Sequence, residues 1–123
     1  MKVSSIEQMN RLKELGVDVK PKGMCLMYTS DSSDNYYLKY GESTCEDDIA
    51  SFSLQDIIEL LPPQLIHKEE NIYLNFENIG KEYGFYYANC DFEICIYFNN
   101  TNILQAAYEM LLWVIENGYL KTK

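Results

Sequence analysis

The chain has 123 residues, of which 47% are hydrophobic, and it carries a formal net charge of −9. This length predicts a single domain, residues 1–123, with a core large enough to form without disulfides or metals. The acidic balance excludes nucleic-acid binding through a broad basic surface and disfavours anionic membranes.

The first predicted helix begins after Ser4 or Ser5, which can form a capping box with Glu7 or Gln8. Apolar residues then recur at helical spacing until Gly16, which is well placed to end the helix. The spacing therefore predicts a helix of about three turns.

A strand hairpin follows the first helix. The apolar run 24–28 predicts one strand, and residues 31–35 form a turn-rich spacer. Tyr36, Leu38 and Tyr40 then alternate with Tyr37 and Lys39, which predicts a second strand with one buried face.

The middle of the chain predicts a second helix and then three strands. Ser53 begins the helix, and Pro62-Pro63 ends it because neither proline can donate the next backbone hydrogen bond. Three runs within residues 72–98 alternate with a period of two, which predicts an antiparallel meander. The side chains expected to face the core are Ile72, Leu74, Phe76, Phe92, Ile94, Ile96 and Phe98.

The last helix is the clearest element. Thr101 or Asn102 caps it, and Gly118 ends it. Its polar stripe is narrow, and Leu112 and Trp113 widen the apolar side. The helix therefore either lies between other elements or forms a subunit contact.

These elements predict an α+β fold in which an antiparallel sheet, made of a three-strand meander plus a hairpin, packs with three helices. The predicted order is α-β-β-α-β-β-β-α.

The cysteines and the first residues bear on location. Cys25, Cys45, Cys90 and Cys95 form no CxxC pair, and their strand context predicts buried or half-buried thiols. The first residues lack the apolar run of a signal peptide, and no apolar stretch approaches the length of a membrane span. We expect a cytoplasmic protein with reduced thiols.

Candidate chemistry rests on His67, the single histidine. It could act with nearby acids, or with a thiol at Cys45, Cys90 or Cys95. A zinc site needs about four ligands at workable spacing, whereas these residues are scattered. We expect no catalytic residue, no metal and no cofactor, and an enzyme using His67 is the least favoured hypothesis.

The face of the meander opposite the core is the most informative candidate surface. The side chains predicted for it are Tyr73, Asn75, Tyr86, Cys95 and Tyr97. A face rich in tyrosine suits recognition, because tyrosine gives contact area at a low entropic cost. The same pattern also fits a face covered by a helix, or tyrosine pairs that only stabilise the sheet.

Acidic residues concentrate in residues 24–63, which carry eight acidic side chains and one basic side chain. The candidate acidic surface is Asp31, Asp34, Glu42, Glu46, Asp47 and Asp48. Closely spaced carboxylates can imitate phosphates, so one alternative is a mimic that inhibits a host nucleic-acid-binding protein. Ordinary surface charge that keeps a protein soluble gives the same pattern.

Three segments together resemble a known group of proteins: RLKELGV at residues 11–17, SLQD at 53–56 and AYEMLLWVIENGY at 107–119. The resemblance is to small uncharacterised proteins of bacteriophages and prophage-like elements of anaerobic gut bacteria. It covers most of the chain in layout and implies an intracellular bacterial protein of mobile-element origin. It brings no activity or site residues.

We therefore expect a non-enzymatic interaction or regulatory protein that binds a protein partner or forms a homodimer. The residues expected to bind the partner are Tyr73, Tyr86, Cys95, Tyr97, Leu112 and Trp113. Neither direct nucleic-acid binding nor membrane binding is expected.

Overall fold

The computed structural model describes residues 3–30 and 35–120, which form two compact units, residues 3–53 and 54–120. The helices are α1 (Ile6–Glu14), α2 (Leu54–Leu60) and α3 (Ile103–Glu116). The strands are β1 (Cys25–Ser30), β2 (Tyr36–Gly41), β3 (Ile49–Ala50), β4 (Gln64–His67), β5 (Glu70–Ile79), β6 (Glu82–Ala88) and β7 (Ile94–Asn100).

The predicted α+β class and element order are confirmed, with the short strands β3 and β4 added to the order. The strands form two antiparallel sheets, one in each unit, where the sequence predicted one. The prediction of a single domain stays a prediction. Over the described part of the chain, no helix is both long enough and apolar enough to span a membrane.

Helix α1 begins at one of the two predicted serines. Ser5 Oγ accepts a hydrogen bond from the Gln8 N–H at 3.1 Å, and Gln8 Oε1 accepts one from the Ser5 N–H at 2.9 Å. This is the reciprocal capping box. At the other end Gly16 has a φ of +90°, and Val17 N–H donates to the Leu12 carbonyl at 3.0 Å, which closes the helix as predicted.

The sheet of the N-terminal unit has the order β2-β1-β3. The hairpin register pairs Met27 with Lys39 and Thr29 with Tyr37, and Met27 and Thr29 are buried. Tyr37 and Lys39 therefore lie on the side of the buried residues of β1, but Tyr37 is itself 52% exposed. The apolar residues of the other parity are all exposed: Tyr36, Leu38 and Tyr40. The prediction that β2 has a buried apolar face is wrong, because β2 is an edge strand whose tyrosines are exposed on both parities.

The sheet of the C-terminal unit has the order β4-β5-β6-β7, with every neighbour antiparallel. Helix α3 packs on β6 and β7, and α2 packs on α3. Helix α3 therefore lies between the sheet and α2, which is one of the two predicted positions, and a subunit contact stays a prediction.

Helix α3 has the predicted ends. Asn102 Oδ1 accepts a hydrogen bond from the Leu104 N–H at 3.0 Å. Gly118 has a φ of +76°, and Tyr119 N–H donates to the Val114 carbonyl at 3.0 Å. Both ends follow from local capping, so sequence alone could place them.

A β-bulge interrupts the parity of β7. Tyr87 pairs with Ile96 and Ala88 pairs with Ile94, so Cys95 is an extra residue without a register partner. Ile94 consequently lies on the face of Ala88, opposite Tyr87, and it is exposed. The predicted core position of Ile94 is wrong because the bulge reverses the alternation.

Phe92 is the second error in the predicted core face. It lies in the turn before β7 with a φ of +63°, and 84% of its surface is exposed. Asn89 Oδ1 builds this turn by accepting hydrogen bonds from the N–H groups of Asp91 and Glu93. The remaining five predicted residues do share one face: Ile72, Leu74, Phe76, Ile96 and Phe98.

Candidate protein-binding surface

The tyrosine face is the surface formed by Tyr73, Tyr86 and Tyr97 on one side of the C-terminal sheet. The register places Asn75 opposite Tyr86 and Tyr86 opposite Tyr97. Opposite residues of antiparallel strands point to the same side, and so does Tyr73, two residues before Asn75. The predicted parity of these four residues is confirmed.

Tyr97 is held in a single place by its neighbours. Its hydroxyl donates a hydrogen bond to Glu77 Oε1 at 2.6 Å. Its ring lies across Gly84, where an added Cβ would stand 2.6 Å from the Tyr97 hydroxyl oxygen and 2.8 Å from Cζ. Glycine is therefore required at position 84 for the ring to lie there, as is common where a group approaches a strand closely.

The Tyr97 hydroxyl remains a donor over a wide pH range. The hydrogen bond to Glu77 raises the pKa of Tyr97 to about 12, and burial and the negative charges of Glu77 and Glu82 act in the same direction. Glu82 is itself oriented by Asn99, whose Nδ2 donates to Glu82 Oε2 at 2.8 Å. The tyrosine face thus borders on two carboxylates of fixed orientation.

The exposure of the tyrosine face suits a protein partner. Tyr73 is 40% exposed, while Tyr86 and Tyr97 are half-buried with ring centroids 5.9 Å apart. Asn75 Nδ2 donates to the Tyr73 carbonyl at 3.0 Å. Preformed aromatic rings that carry hydroxyls can bury apolar area and hydrogen-bond at the same time, as interface tyrosines do.

Leu112 and Trp113 do not join the tyrosine face. Both are half-buried, and the Trp113 ring lies 6.1 Å from the ring of Tyr87, whose parity is opposite to that of Tyr86. Helix α3 therefore lies on the other side of this sheet. The structure does not bring the six predicted partner-binding residues together into one surface.

His67 belongs to an aromatic cluster with Trp113 and Tyr119. Its ring centroid lies 5.6 Å from that of Trp113 and 5.7 Å from that of Tyr119, and its Nδ1 is hydrogen-bonded to the Tyr119 hydroxyl. These contacts give the half-buried imidazole a packing role at the end of α3.

A polar cleft of about 350 Å³ lies beside His67, and its lining includes Glu70, Glu93 and Cys95. Glu70 Oε1 accepts a hydrogen bond from Asn89 Nδ2 at 2.7 Å. Within residues 3–30 and 35–120, no three His, Cys, Asp or Glu side chains are grouped to hold a metal ion. The cleft contains the histidine, the acids and a thiol that the enzyme hypothesis needs. In the described part of the chain, however, His67 is hydrogen-bonded to Tyr119 and not to the thiol of Cys95.

The four cysteines are free thiols. Cys25 is half-buried, but Cys45, Cys90 and Cys95 are exposed. The predicted burial is therefore wrong for three of them. Cys90 lies in the turn after β6, Cys45 lies in a loop, and Cys95 is the bulge residue, which leaves the regular alternation and lines the cleft beside His67.

The candidate acidic surface is reduced to three described residues. Glu42, Glu46 and Asp47 are exposed, as predicted. Asp31 and Asp34 lie outside the described residues. Carboxylates on the loop between β2 and β3 are therefore available to a partner at three positions.

Asp48 is not a surface residue, since only 4% of it is exposed. Its Oδ2 accepts hydrogen bonds from Ser43 Oγ at 2.9 Å and from the Thr44 N–H at 3.3 Å. Burial acts to raise the pKa of Asp48, but hydrogen bonds to the carboxylate outweigh it and leave the pKa below its ordinary value. The prediction of Asp48 as part of an acidic surface is wrong, because this carboxylate organises its own loop.

Two apolar surfaces of the structure were not predicted from the sequence. One is the exposed side of β2, with Tyr40 66% exposed. The other is the β5 groove, defined by Ile58, Leu74, Asn75, Phe76, Phe85 and Ile103. Its members come from α2, β5, β6 and α3, so no local signal in the sequence could have grouped them.

Comparison of the chain with protein-family models, with curated proteins and with solved structures finds no match.

Proposed function

We propose that this protein is a non-enzymatic interaction or regulatory protein that binds a protein partner through the tyrosine face. The observation that carries the proposal is the position of Tyr97, held by Glu77 and seated on Gly84. A preorganised aromatic side chain binds at a lower entropic cost than a mobile one.

The proposed function involves no chemical step and needs no cofactor. We also propose that the protein acts in the cytoplasm and that it originates from a phage or mobile element. The first proposal rests on the sequence and the second on the resemblance. The acidic mimic is the second candidate, favoured by the exposure of Glu42, Glu46 and Asp47.

Site-specific photo-crosslinking tests the proposal. A photo-crosslinking amino acid replaces Tyr73 in one variant and Tyr86 in another, and a third variant carries it in place of the exposed Phe92 as the matched control. We expect positions 73 and 86 to capture one and the same polypeptide from cells that encode the protein, and position 92 not to capture it.

Affinity measurements with that polypeptide complete the test. The double variant Tyr73→Ala, Tyr86→Ala should bind at least about tenfold more weakly, because aromatic anchors dominate interface energies. Phe92→Ala should bind as the unaltered protein does. Equal capture at position 92, or full affinity of the double variant, would refute the tyrosine face as the binding site.

A further inference from the structure

Strand β5 extends well beyond its neighbour β4. Strand β5 has ten residues and β4 has four, and the pairing of β4 begins with Gln64 opposite Tyr73. One more bond follows, from the Leu74 N–H to the Pro63 carbonyl at 3.0 Å. Pro63 has no N–H to return, so the ladder stops there and residues 75–79 form a free edge.

The backbone groups of this free edge have a defined direction. Because Leu74 directs its N–H toward β4, strand alternation directs the N–H and carbonyl of Phe76 and Asn78 to the same side. The intervening residues direct theirs to β6, which pairs with β5 as far as Ile79. Two residues therefore offer four backbone groups to an added strand.

The β5 groove adjoins the free edge. It has a volume of about 320 Å³, and Phe76 in its wall is 48% exposed. The Phe76 ring contacts the buried Phe85, with ring centroids 5.1 Å apart, and stacks on Tyr83 at 6.3 Å, and what these two rings leave uncovered is open to solvent. An apolar side chain of an added strand, opposite Phe76, would point to this same side of the sheet.

Acidic side chains lie on the free edge itself and on α2, the helix that contributes Ile58 to the β5 groove, while Lys81 lies in the turn beyond Ile79. Glu77 lies on the opposite side of the sheet from Phe76, and its carboxylate accepts a hydrogen bond from the neutral Tyr97 hydroxyl. Asp56 and Glu59 on α2 are exposed, as is Ile58 of the groove. Complementary charge for an added strand is therefore positive.

We propose that the free edge of β5 binds an extended segment of a partner protein in which apolar and basic residues alternate. The apolar residues pair with Phe76 and Asn78 and fill the β5 groove, and a basic residue pairs with Glu77. This is strand addition, in which backbone hydrogen bonds give affinity and alternate side chains give specificity. The site borders on the tyrosine face at Glu77, whose carboxylate also accepts the Tyr97 hydrogen bond, but its backbone groups and the β5 groove do not depend on binding at the tyrosine face.

A second copy of the chain fits the free edge less well. Two-fold antiparallel pairing of residues 75–79 places Glu77 directly opposite the partner's Glu77. Like charges in that position destabilise a strand pair. The acidic edge thus favours a basic segment over self-association.

The peptide acetyl-Lys-Val-Lys-Val-Lys-amide is the probe, since its two valines match Phe76 and Asn78. We expect saturable binding to the full chain by NMR titration, with the largest amide shifts at Phe76 and Asn78. The control peptide has the same sequence with both valines N-methylated. It keeps the charge but lacks the two donors, and it should bind at least about tenfold more weakly.

The variant Asn78→Pro removes an outward N–H without removing a bond to β6, and Asn78→Ala retains that N–H. We expect Asn78→Ala and Tyr86→Ala to bind the peptide normally and Asn78→Pro to lose at least about tenfold in affinity. Equal affinity of the two peptides for the unaltered protein would overturn the proposal, whether or not Asn78→Pro folds. A dimer in sedimentation that Asn78→Pro dissociates would replace the basic segment with a second copy.

Discussion

Asp48 is a residue whose predicted and observed surroundings differ. In the sequence it is the last residue of an acidic run, equivalent to Asp47 beside it. In the structure Asp47 is exposed, whereas Asp48 is buried and accepts hydrogen bonds from Ser43 and Thr44. Neighbouring residues on an irregular loop face different surroundings, and only the folded loop decides which carboxylate is buried.

The variant Asp48→Ala should lower the free energy of unfolding by about 1–3 kcal/mol, because it leaves donors of the loop without their acceptor. Because the pKa of Asp48 is lowered on folding, the ionised carboxylate stabilises the fold above pH 3.8, its ordinary pKa. This contribution is lost as the pH falls through the pKa that Asp48 has in the folded protein. Urea unfolding at neutral and acidic pH measures both effects. Asp47→Ala is the matched control and should change stability by less than about 0.5 kcal/mol; equal losses in the two variants would contradict the role of Asp48.

At the scale of elements, the contact between β6 and β7 depends on Gly84. The glycine lies opposite Asn99 and lets the ring of Tyr97 cross the strand next to it. Tyr97 in turn reaches Glu77 on β5, so one side chain connects three strands on the tyrosine face. The raised pKa of Tyr97 reports whether this connection is intact.

The variant Gly84→Ala should displace the Tyr97 ring, break its bond to Glu77 and lower the pKa of Tyr97 from about 12 toward 10.0. Because the pKa of Tyr97 is raised, the protonated side chain stabilises the fold below pH 10, and this contribution is lost as the pH rises through about 12. The stability of the variant should therefore depend less on alkaline pH. Tyrosinate absorbance, with Tyr97→Phe subtracted, measures the pKa.

Glu77→Gln is the matched control for that titration. It removes the charged acceptor without adding a methyl group, and it should lower the same pKa. If Gly84→Ala leaves the titration of Tyr97 unaltered, the close seating of the ring on Gly84 is not what fixes its position.

At the scale of the whole molecule, the net charge of −9 separates the two candidate functions. A mimic of nucleic acid binds through many charges and loses affinity steeply with added salt. A partner held by tyrosine side chains depends chiefly on buried apolar area, which salt screens little. The captured partner can therefore be assigned to one mode by its salt dependence.

The triple variant Glu42→Gln, Glu46→Gln, Asp47→Asn should bind the captured partner within about twofold of the unaltered protein, because none of these side chains is a member of the tyrosine face. Titration at low and high salt measures the affinity. A tenfold loss in the triple variant, together with a steep salt dependence, would favour the acidic mimic and reject the tyrosine face.

Several features of the whole molecule could be predicted from the sequence. The helix ends at Ser5, Gly16, Asn102 and Gly118 were predictable, because each depends on hydrogen bonds between residues at most five positions apart. The parity of Tyr73, Tyr86 and Tyr97 was also predictable, because a regular strand alternates without reference to its neighbours. These signals are local, so the sequence by itself determined the helix ends and the alternation of side chains within each regular strand.

The tertiary structure alone decided the bulge at Cys95, the exposed side of β2 and the free edge of β5. Each depends on which residue of one segment lies opposite which residue of another. A shift of one residue in that pairing exchanges the two faces of a strand at no cost in local propensity. Only the packing of distant segments selects one register, and with it the surfaces that a partner can reach.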